Sequence, residues 1–232
     1  MRLIAVILAL LIFSTSEAIA HNWSRVFTEA RSSVVMLFHK SGSCSAFSIN
    51  EQQHYYLTDH HCLPDNPSAA IEASRREMDR PSPTGMYLFV DAVPMVRSMG
   101  NVVVMRVLKA DAALDLALVE AEIGLPALRR GAEPRVGDEI AAMGYAFGEP
   151  SLWLSAGNVV NIKDATGGRR LLIRSTAEIA GESGGPVVNV KGEVISIVQS
   201  GIRYQGSLTG LNYGVSIKEM WRFAKGFWQE PN

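Results

Sequence analysis

The sequence has little excess charge and few cysteines. Its 22 basic and 23 acidic residues leave a formal net charge of −1. This balance gives no electrostatic reason to expect a nucleic-acid partner, because binding phosphates requires a surplus of Lys and Arg. The two cysteines, Cys44 and Cys62, lack the further ligands of a zinc site, so we expect no metal and no cofactor. From the residues alone, they could form a disulfide or remain two buried thiols.

Long hydrophobic runs are also missing, apart from one near the N-terminus. Met1-Arg2 precedes an apolar run from Leu3 to Phe13, and Ala18-Ile19-Ala20 follows after a few polar residues. The run is shorter than the about 20 apolar residues that span a bilayer. We therefore expect residues 1–20 to be a signal peptide cleaved after Ala20, and the protein to be secreted or periplasmic without stable membrane association. An uncleaved membrane anchor is the alternative.

The rest of the chain has little helical periodicity, no internal repeat and no low-complexity tract. Short runs rich in β-branched and aromatic residues, bounded by polar residues or glycine, predict strands. These lie at 33–38, 46–49, 55–58, 85–90, 101–108, 116–119, 139–143, 152–162, 171–175, 186–190, 194–199 and 211–216. Glycines and prolines in the segment 122–134 predict a linker, and 164–168 reads as a hairpin turn.

A glycine-rich segment, Gly181-Glu182-Ser183-Gly184-Gly185-Pro186, carries the strongest chemical signal. A serine in such a turn can present both a nucleophilic hydroxyl and convergent main-chain N–H groups. The hydroxyl is a poor nucleophile until an imidazole accepts its proton, and a carboxylate improves the imidazole by fixing its tautomer. The segment therefore predicts Ser183 as a nucleophile.

Upstream residues could supply the base and the carboxylate in the order His, Asp, Ser. His60 and His61 are adjacent, so only one of them should face Ser183. Asp111 opens a turn, whereas Asp115 interrupts an apolar strand, where an unpaired charge would be costly. We therefore favour Asp115 as the orienting carboxylate.

These motifs resemble those of the trypsin-like serine proteases. Leu57-Thr58-x-x-His61-Cys62 and Gly181-x-Ser183-Gly184-Gly185-Pro186 are similar to the histidine and serine boxes of that family. Further segments resemble its HtrA-type branch: 115–119, 135–139, 144–148, 192–198 and 213–217. The resemblance runs from about Ser33 to Ile217 and identifies His61 as the base.

The resemblance implies an all-β fold of two six-stranded antiparallel β-barrels with a C-terminal α-helix. The N-terminal barrel would occupy 21–121, and the second barrel with the terminal helix would occupy 135–232, so the site would lie in the cleft between them. Because the sequence continues only briefly beyond Ile217, we expect no PDZ module.

The family pattern also implies roles for other residues. Gly181 and Ser183 would supply the oxyanion-hole N–H groups, and Cys44 and Cys62 would form a disulfide. The substrate pocket would be built from Ala177, Glu178, Gln199, Ser200, Gly201 and Gly214. Ala177 at its base favours small or medium apolar side chains, whereas Glu178 would favour Lys or Arg if it faced the pocket.

The C-terminal end of the sequence has the pattern of a helix. Ser216 and Glu219 have the spacing of a capping box. Apolar residues recur at helical intervals at Ile217, Met220, Trp221, Ala224 and Phe227, which predicts a helix packed on the second barrel. This stripe could instead bind a partner or a membrane surface.

Glu182 departs from the aspartate or asparagine that precedes the serine in the family, and a buried carboxylate there needs a partner or water.

The sequence thus predicts a secreted serine endopeptidase that acts on a protein or peptide through an acyl-enzyme on Ser183. Its alternatives are a catalytically inactive, protease-like peptide-binding protein and an esterase.

Overall fold

The computed structural model describes residues 22–39, 42–64, 87–89, 102–165, 168–174 and 180–229. The predicted signal peptide and the pocket residues Ala177 and Glu178 lie outside these ranges. Within them, no helix is both long and apolar enough to cross a membrane.

A six-stranded antiparallel barrel forms the first half of the fold, as predicted. Its strands are β1 (Val34–His39), β2 (Gly42–Asn50), β3 (Tyr55–Thr58), β4 (Tyr87–Phe89), β5 (Val102–Asp111) and β6 (Leu116–Ala121). They pair in the order β1-β2-β3-β6-β5-β4, and β4 pairs back onto β1. Apolar side chains such as Val35, Tyr56, Met105 and Val119 cluster together and are buried, which explains why these β-branched and aromatic runs fold as a closed sheet.

The second half is a seven-stranded antiparallel sheet. Its strands are β7 (Glu139–Tyr145), β8 (Leu152–Ala165), β9 (Gly168–Arg174), β10 (Pro186–Asn189), β11 (Val194–Ile197), β12 (Ser200–Tyr204) and β13 (Ser207–Val215). They lie in the order β11-β10-β7-β8-β9-β13-β12, and an isolated bridge between Ser196 and Ser216 shows that the sheet curls. The predicted six-stranded second barrel is therefore found in part: the described residues form a curled sheet of seven strands, in which this bridge brings β11 next to the end of β13. Strand β12 extends the sheet edge as an exposed hairpin with β13.

Helix α1 (Trp23–Ala30) precedes the barrel and was not predicted. Its N-cap is Asn22, whose Oδ1 accepts a hydrogen bond from the N–H of Arg25 at 3.1 Å. Val26 and Ala30 are buried in the main apolar cluster, so one face of the helix packs on the core.

Helix α2 (Ile217–Phe223) begins where the sequence predicts, with Ser216 at its N-cap. The Ser216 side chain makes no capping hydrogen bond, so the expected capping box is absent. The residues after the helix reach the first barrel: the N–H of Gln229 donates to Ile49 O at 2.8 Å, and Asn50 Nδ2 donates to Phe227 O at 3.1 Å. The C-terminal segment therefore ties the two halves together, beyond the expected packing on the second barrel.

The segment 122–134 joins the halves without a strand or helix of its own. The N–H of Leu128 donates to Ser48 O in the first barrel, and the N–H of Gly131 donates to Val194 O in the second sheet. One apolar cluster contains residues of both halves, including Leu57 and Met143. The loops that carry the predicted site residues are thus held in a fixed relation.

Candidate active site

The turn after strand β3 brings His61 against Asp115. Strand β3 ends at Thr58, and a short 3-10 turn, His60–Cys62, follows it. His61 Nδ1 lies 2.8 Å from Asp115 Oδ2, and the main-chain N–H of His61 donates to Asp115 Oδ1 at 2.9 Å. A carboxylate at Nδ1 fixes the ring tautomer and leaves Nε2 available as a base.

Asp115 lies in the β5–β6 turn with a left-handed backbone, at φ 55°. The expectation that it interrupts a strand is therefore wrong, since β6 begins at the next residue. Aspartate tolerates this conformation better than bulky or branched residues do. Asp111 stabilises the same turn, because its Oδ1 accepts the N–H groups of Ala113 and Leu114 at 2.9 and 3.0 Å.

The environment of Asp115 favours its charged form. Burial alone would raise the pKa of its carboxyl, but the hydrogen bonds and positive charge of His61 outweigh burial and lower that pKa below its ordinary value. Asp115 is therefore an anion at neutral pH, as a residue that orients an imidazole must be.

Ser45 on strand β2 holds the glycine-rich segment against the first barrel. Its Oγ donates to Gly181 O at 2.8 Å, and its N–H donates to Ser183 O at 2.7 Å. Gly184 has φ 81°, and a Cβ at this position would overlap Ser45 O. The glycine thus permits the close approach that places Ser183 beside the histidine turn, where Cys62 Sγ lies 3.8 Å from Ser183 O.

The main chain around Ser183 can present two N–H groups. Gly181 has φ 100°, a conformation that favours glycine, and a Cβ there would overlap Tyr145 O. The N–H groups of Gly181 and Ser183 have no acceptor among the described residues. The arrangement leaves both donors available for an oxyanion.

Ser183 Oγ does not contact His61 through a hydrogen bond in the described part of the chain. It donates instead to Gln199 O at 3.3 Å. The structure therefore brings Ser183 to the histidine turn without forming the Ser–His bond. Such bonds are often long or absent before substrate binds.

Gln199 connects the nucleophile to the Asp115 turn, which the sequence did not reveal. Its Nε2 donates to Leu114 O at 2.8 Å and to Asp115 O at 3.0 Å. The residue is buried, and its side chain holds this turn.

Glu182 lies between the two predicted oxyanion donors and is only 3% exposed. Its Oε1 has no hydrogen-bond partner among the described residues. Burial raises the pKa of this carboxyl to about 7. Glu182 can therefore change its charge near neutral pH while it sits in the loop that carries Ser183.

A cavity of about 60 Å³ opens beside Ser183. Its lining includes Gln199, Ser200 and Gly201, together with Asn212 of strand β13. Gly214 is not among the described lining residues; it is buried, and a Cβ there would overlap Ile197 O. Three of the predicted pocket residues thus border this cavity.

Cys44 and Cys62 form a disulfide, with their Cα atoms 6.0 Å apart. The bond links strand β2 to the histidine turn and agrees with the pairing implied by the family pattern.

His60 is half-buried next to His61. Asp59, His61 and Asp115 place three potential ligand atoms within 4.8 Å of one another, but an oriented imidazole gives the same grouping without an ion.

Several proteases of known structure have a similar fold. The active form of the Rv3671c protease from M. tuberculosis has a TM-score of 0.66 and 16% identity, covering 89% of this chain and 86% of that one. The serine endoprotease from Yersinia pestis has a TM-score of 0.66 and 16% identity, covering 87% and 64%. The HtrA-type protease AlgW with tripeptide has a TM-score of 0.65 and 18% identity, covering 85% and 60%.

At these identities the solved structures show a shared fold, and this chain spans less than two thirds of the Yersinia and AlgW chains. A search of curated proteins found no match. The family model of the trypsin-like peptidase domain matches residues 44–197, more than half of the chain, and this stretch contains His61, Asp115 and Ser183. The chain therefore belongs to the trypsin-like peptidase domain family.

Proposed function

We propose that the protein is an exported serine endopeptidase that forms an acyl-enzyme on Ser183. The observation that supports the proposal is the contact between His61 and Asp115 on the first barrel. Ser45, on the same barrel, holds the loop that carries Ser183. This arrangement supplies a base with a fixed tautomer and a serine within the same group of loops.

The proposed reaction begins when Ser183 rotates from Gln199 O towards His61 Nε2. His61 takes the hydroxyl proton as Ser183 Oγ bonds to the substrate carbonyl carbon, and the N–H groups of Gly181 and Ser183 stabilise the oxyanion. His61 then gives the proton to the leaving amine as the C–N bond breaks. A water molecule, deprotonated by His61, attacks the ester; the acid product leaves and the proton returns to Ser183.

A peptide is the substrate class that the comparisons favour. The AlgW structure was solved with a tripeptide, and we extend that class to this protein as part of the proposal. The cavity beside Ser183 would receive the side chain that precedes the scissile bond. A cleavage profile from a peptide library would decide between the apolar preference favoured by Ala177 and the basic one favoured by Glu178.

Export is the second part of the proposal, supported by the apolar N-terminal run and the disulfide. N-terminal sequencing of the exported protein should give His21 as its first residue. A mature protein that retains Met1 would contradict cleavage.

A peptide-binding protein without catalysis is the second candidate. The hydrogen bond from Ser183 Oγ to Gln199 O favours this candidate, because the hydroxyl donates to a carbonyl and not to His61. Labelling with a fluorophosphonate separates the two. We expect the wild-type protein to be labelled and Ser183→Ala to remain unlabelled. Absence of labelling in a folded wild-type protein that still binds peptides would establish the second candidate.

A further inference from the structure

A second carboxylate lies close to His61. Asp59 follows strand β3 and immediately precedes the turn that carries His61. Its Oδ2 lies 3.9 Å from His61 Nδ1, the same nitrogen that contacts Asp115 at 2.8 Å. At 3.9 Å the Asp59 carboxylate is too distant for a hydrogen bond to this nitrogen, but it is well within the range of a charge–charge interaction.

The two carboxylates differ in exposure. The Asp59 side chain is completely buried, whereas that of Asp115 is 26% exposed. A charge shielded from water acts on its neighbours through a lower effective dielectric, so distance alone understates the influence of Asp59. Asp115 holds the ring by hydrogen bonding, and the Asp59 carboxylate lies within reach of a charge on the ring.

The fold fixes the main chain of Asp59 between the two loops of the site. Its carbonyl accepts the N–H of Cys62 at 3.3 Å within the histidine turn. A Cβ added to Gly184 would lie 3.1 Å from Asp59 N, so the nucleophile loop packs directly on this residue. The carboxylate is therefore held by its backbone on both sides.

We propose that Asp59 is a positioning residue that supplies a second negative charge to the imidazolium of His61. This inference rests on the proposed function, in which His61 becomes positively charged as it takes the proton of Ser183. Among the described residues, the titratable groups beside the ring are Asp59, the adjacent His60 and, from the β5–β6 turn, Asp115.

The test replaces Asp59 by asparagine, which keeps the shape and removes the charge. We expect kcat to fall about tenfold with little change in KM, and the acid limb of the pH–rate profile to move down by about one pH unit. Asp138→Asn is the matched control, because Asp138 is an exposed turn carboxylate that accepts the N–H of Arg135 in the second half of the chain. It should change neither quantity.

An NMR titration of the His61 ring in Ser183→Ala separates this proposal from the proposed function. Adding Asp59→Asn to Ser183→Ala should move the change in ring signals to lower pH, even if the wild-type protein cleaves no peptide. If Asp59→Asn does not fold, Asp59→Ser provides the same comparison in a smaller side chain. An acid limb and ring titration that stay in place, with or without a loss of kcat, would overturn the proposal.

Discussion

The side chain of Gln199 holds the main chain of Asp115, since its Nε2 donates to Asp115 O at 3.0 Å. One residue of the second half thus stabilises the left-handed turn that carries the carboxylate of the first half. The carbonyl of the same residue accepts the hydroxyl of Ser183 at 3.3 Å. Gln199 therefore makes a hydrogen bond to two of the three proposed catalytic residues, Asp115 and Ser183.

Replacing Gln199 by alanine should loosen the Asp115 turn. The change leaves the carbonyls of Leu114 and Asp115 without their amide donor, so the free energy of unfolding should fall by about 1–3 kcal/mol. kcat should fall as well, because His61 loses its fixed orientation. Chemical denaturation and peptide hydrolysis measure the two effects. Gln52→Ala, at an exposed position in the β2–β3 turn, is the control. Full activity in Gln199→Ala would show that the turn needs no support from the second sheet.

Removing the hydroxyl of Ser45 should disturb the nucleophile loop. Ser45 Oγ donates to Gly181 O and accepts the N–H of Tyr145, each at 2.8 Å. Ser45→Ala removes both hydrogen bonds, which should cost about 1–3 kcal/mol of stability and slow the labelling of Ser183 by a fluorophosphonate.

Ser48→Ala is a matched control on the same strand. Ser48 is also buried, and its Oγ donates to Leu125 O at 2.8 Å, away from the nucleophile loop. It should lower stability and leave the labelling rate unchanged. Equal labelling rates in the two variants would contradict the role of Ser45.

Glu182 should make stability fall as the pH rises. Its pKa is about 7 in the folded protein and 4.5 in a free side chain, so the folded state retains a proton that the unfolded state loses. Stability is therefore unaffected by this group below about pH 4.5, decreases up to about pH 7 and is constant above it, with a total effect of about 3 kcal/mol.

The substitution Glu182→Gln should remove this slope and stabilise the protein at pH 8. Urea denaturation between pH 4 and pH 8 measures it, with buffers of about equal ionic strength. Glu193→Gln is the control, since Glu193 is a partly buried carboxylate that accepts a hydrogen bond from Asn189 Nδ2 at 2.9 Å. Parallel profiles for the wild-type protein and Glu182→Gln would exclude Glu182 as the source.

Local sequence patterns predicted most strands, because a half-buried strand needs alternating or continuous β-branched and aromatic residues. Strand β3 has the predicted bounds, and the other predicted strands occur with shifted ends. Strand β12 was missed because it is an exposed edge strand with a glycine and little apolar character. Helix α1 was missed too, although Asn22 at its N-cap and the spacing of Val26 and Ala30 could have indicated it.

The sequence motifs also identified His61 and Asp115, and the structure brings these two residues into contact. What they did not reveal depends on contacts between distant segments. The hydrogen bonds of Ser45 and Gln199 join residues far apart in the chain, and a serine or glutamine carries no local signature of such a partner. The left-handed backbone of Asp115 and the proximity of Asp59 likewise follow from the folded turn.

The most direct test of the central claim is the rate of peptide-bond hydrolysis by the mature protein and by Ser183→Ala, measured on a denatured protein substrate. We expect cleavage by the wild-type protein and a loss of about a millionfold in kcat for the variant, as in other serine triads. Cleavage that persists at the wild-type rate in a purified Ser183→Ala protein would contradict it.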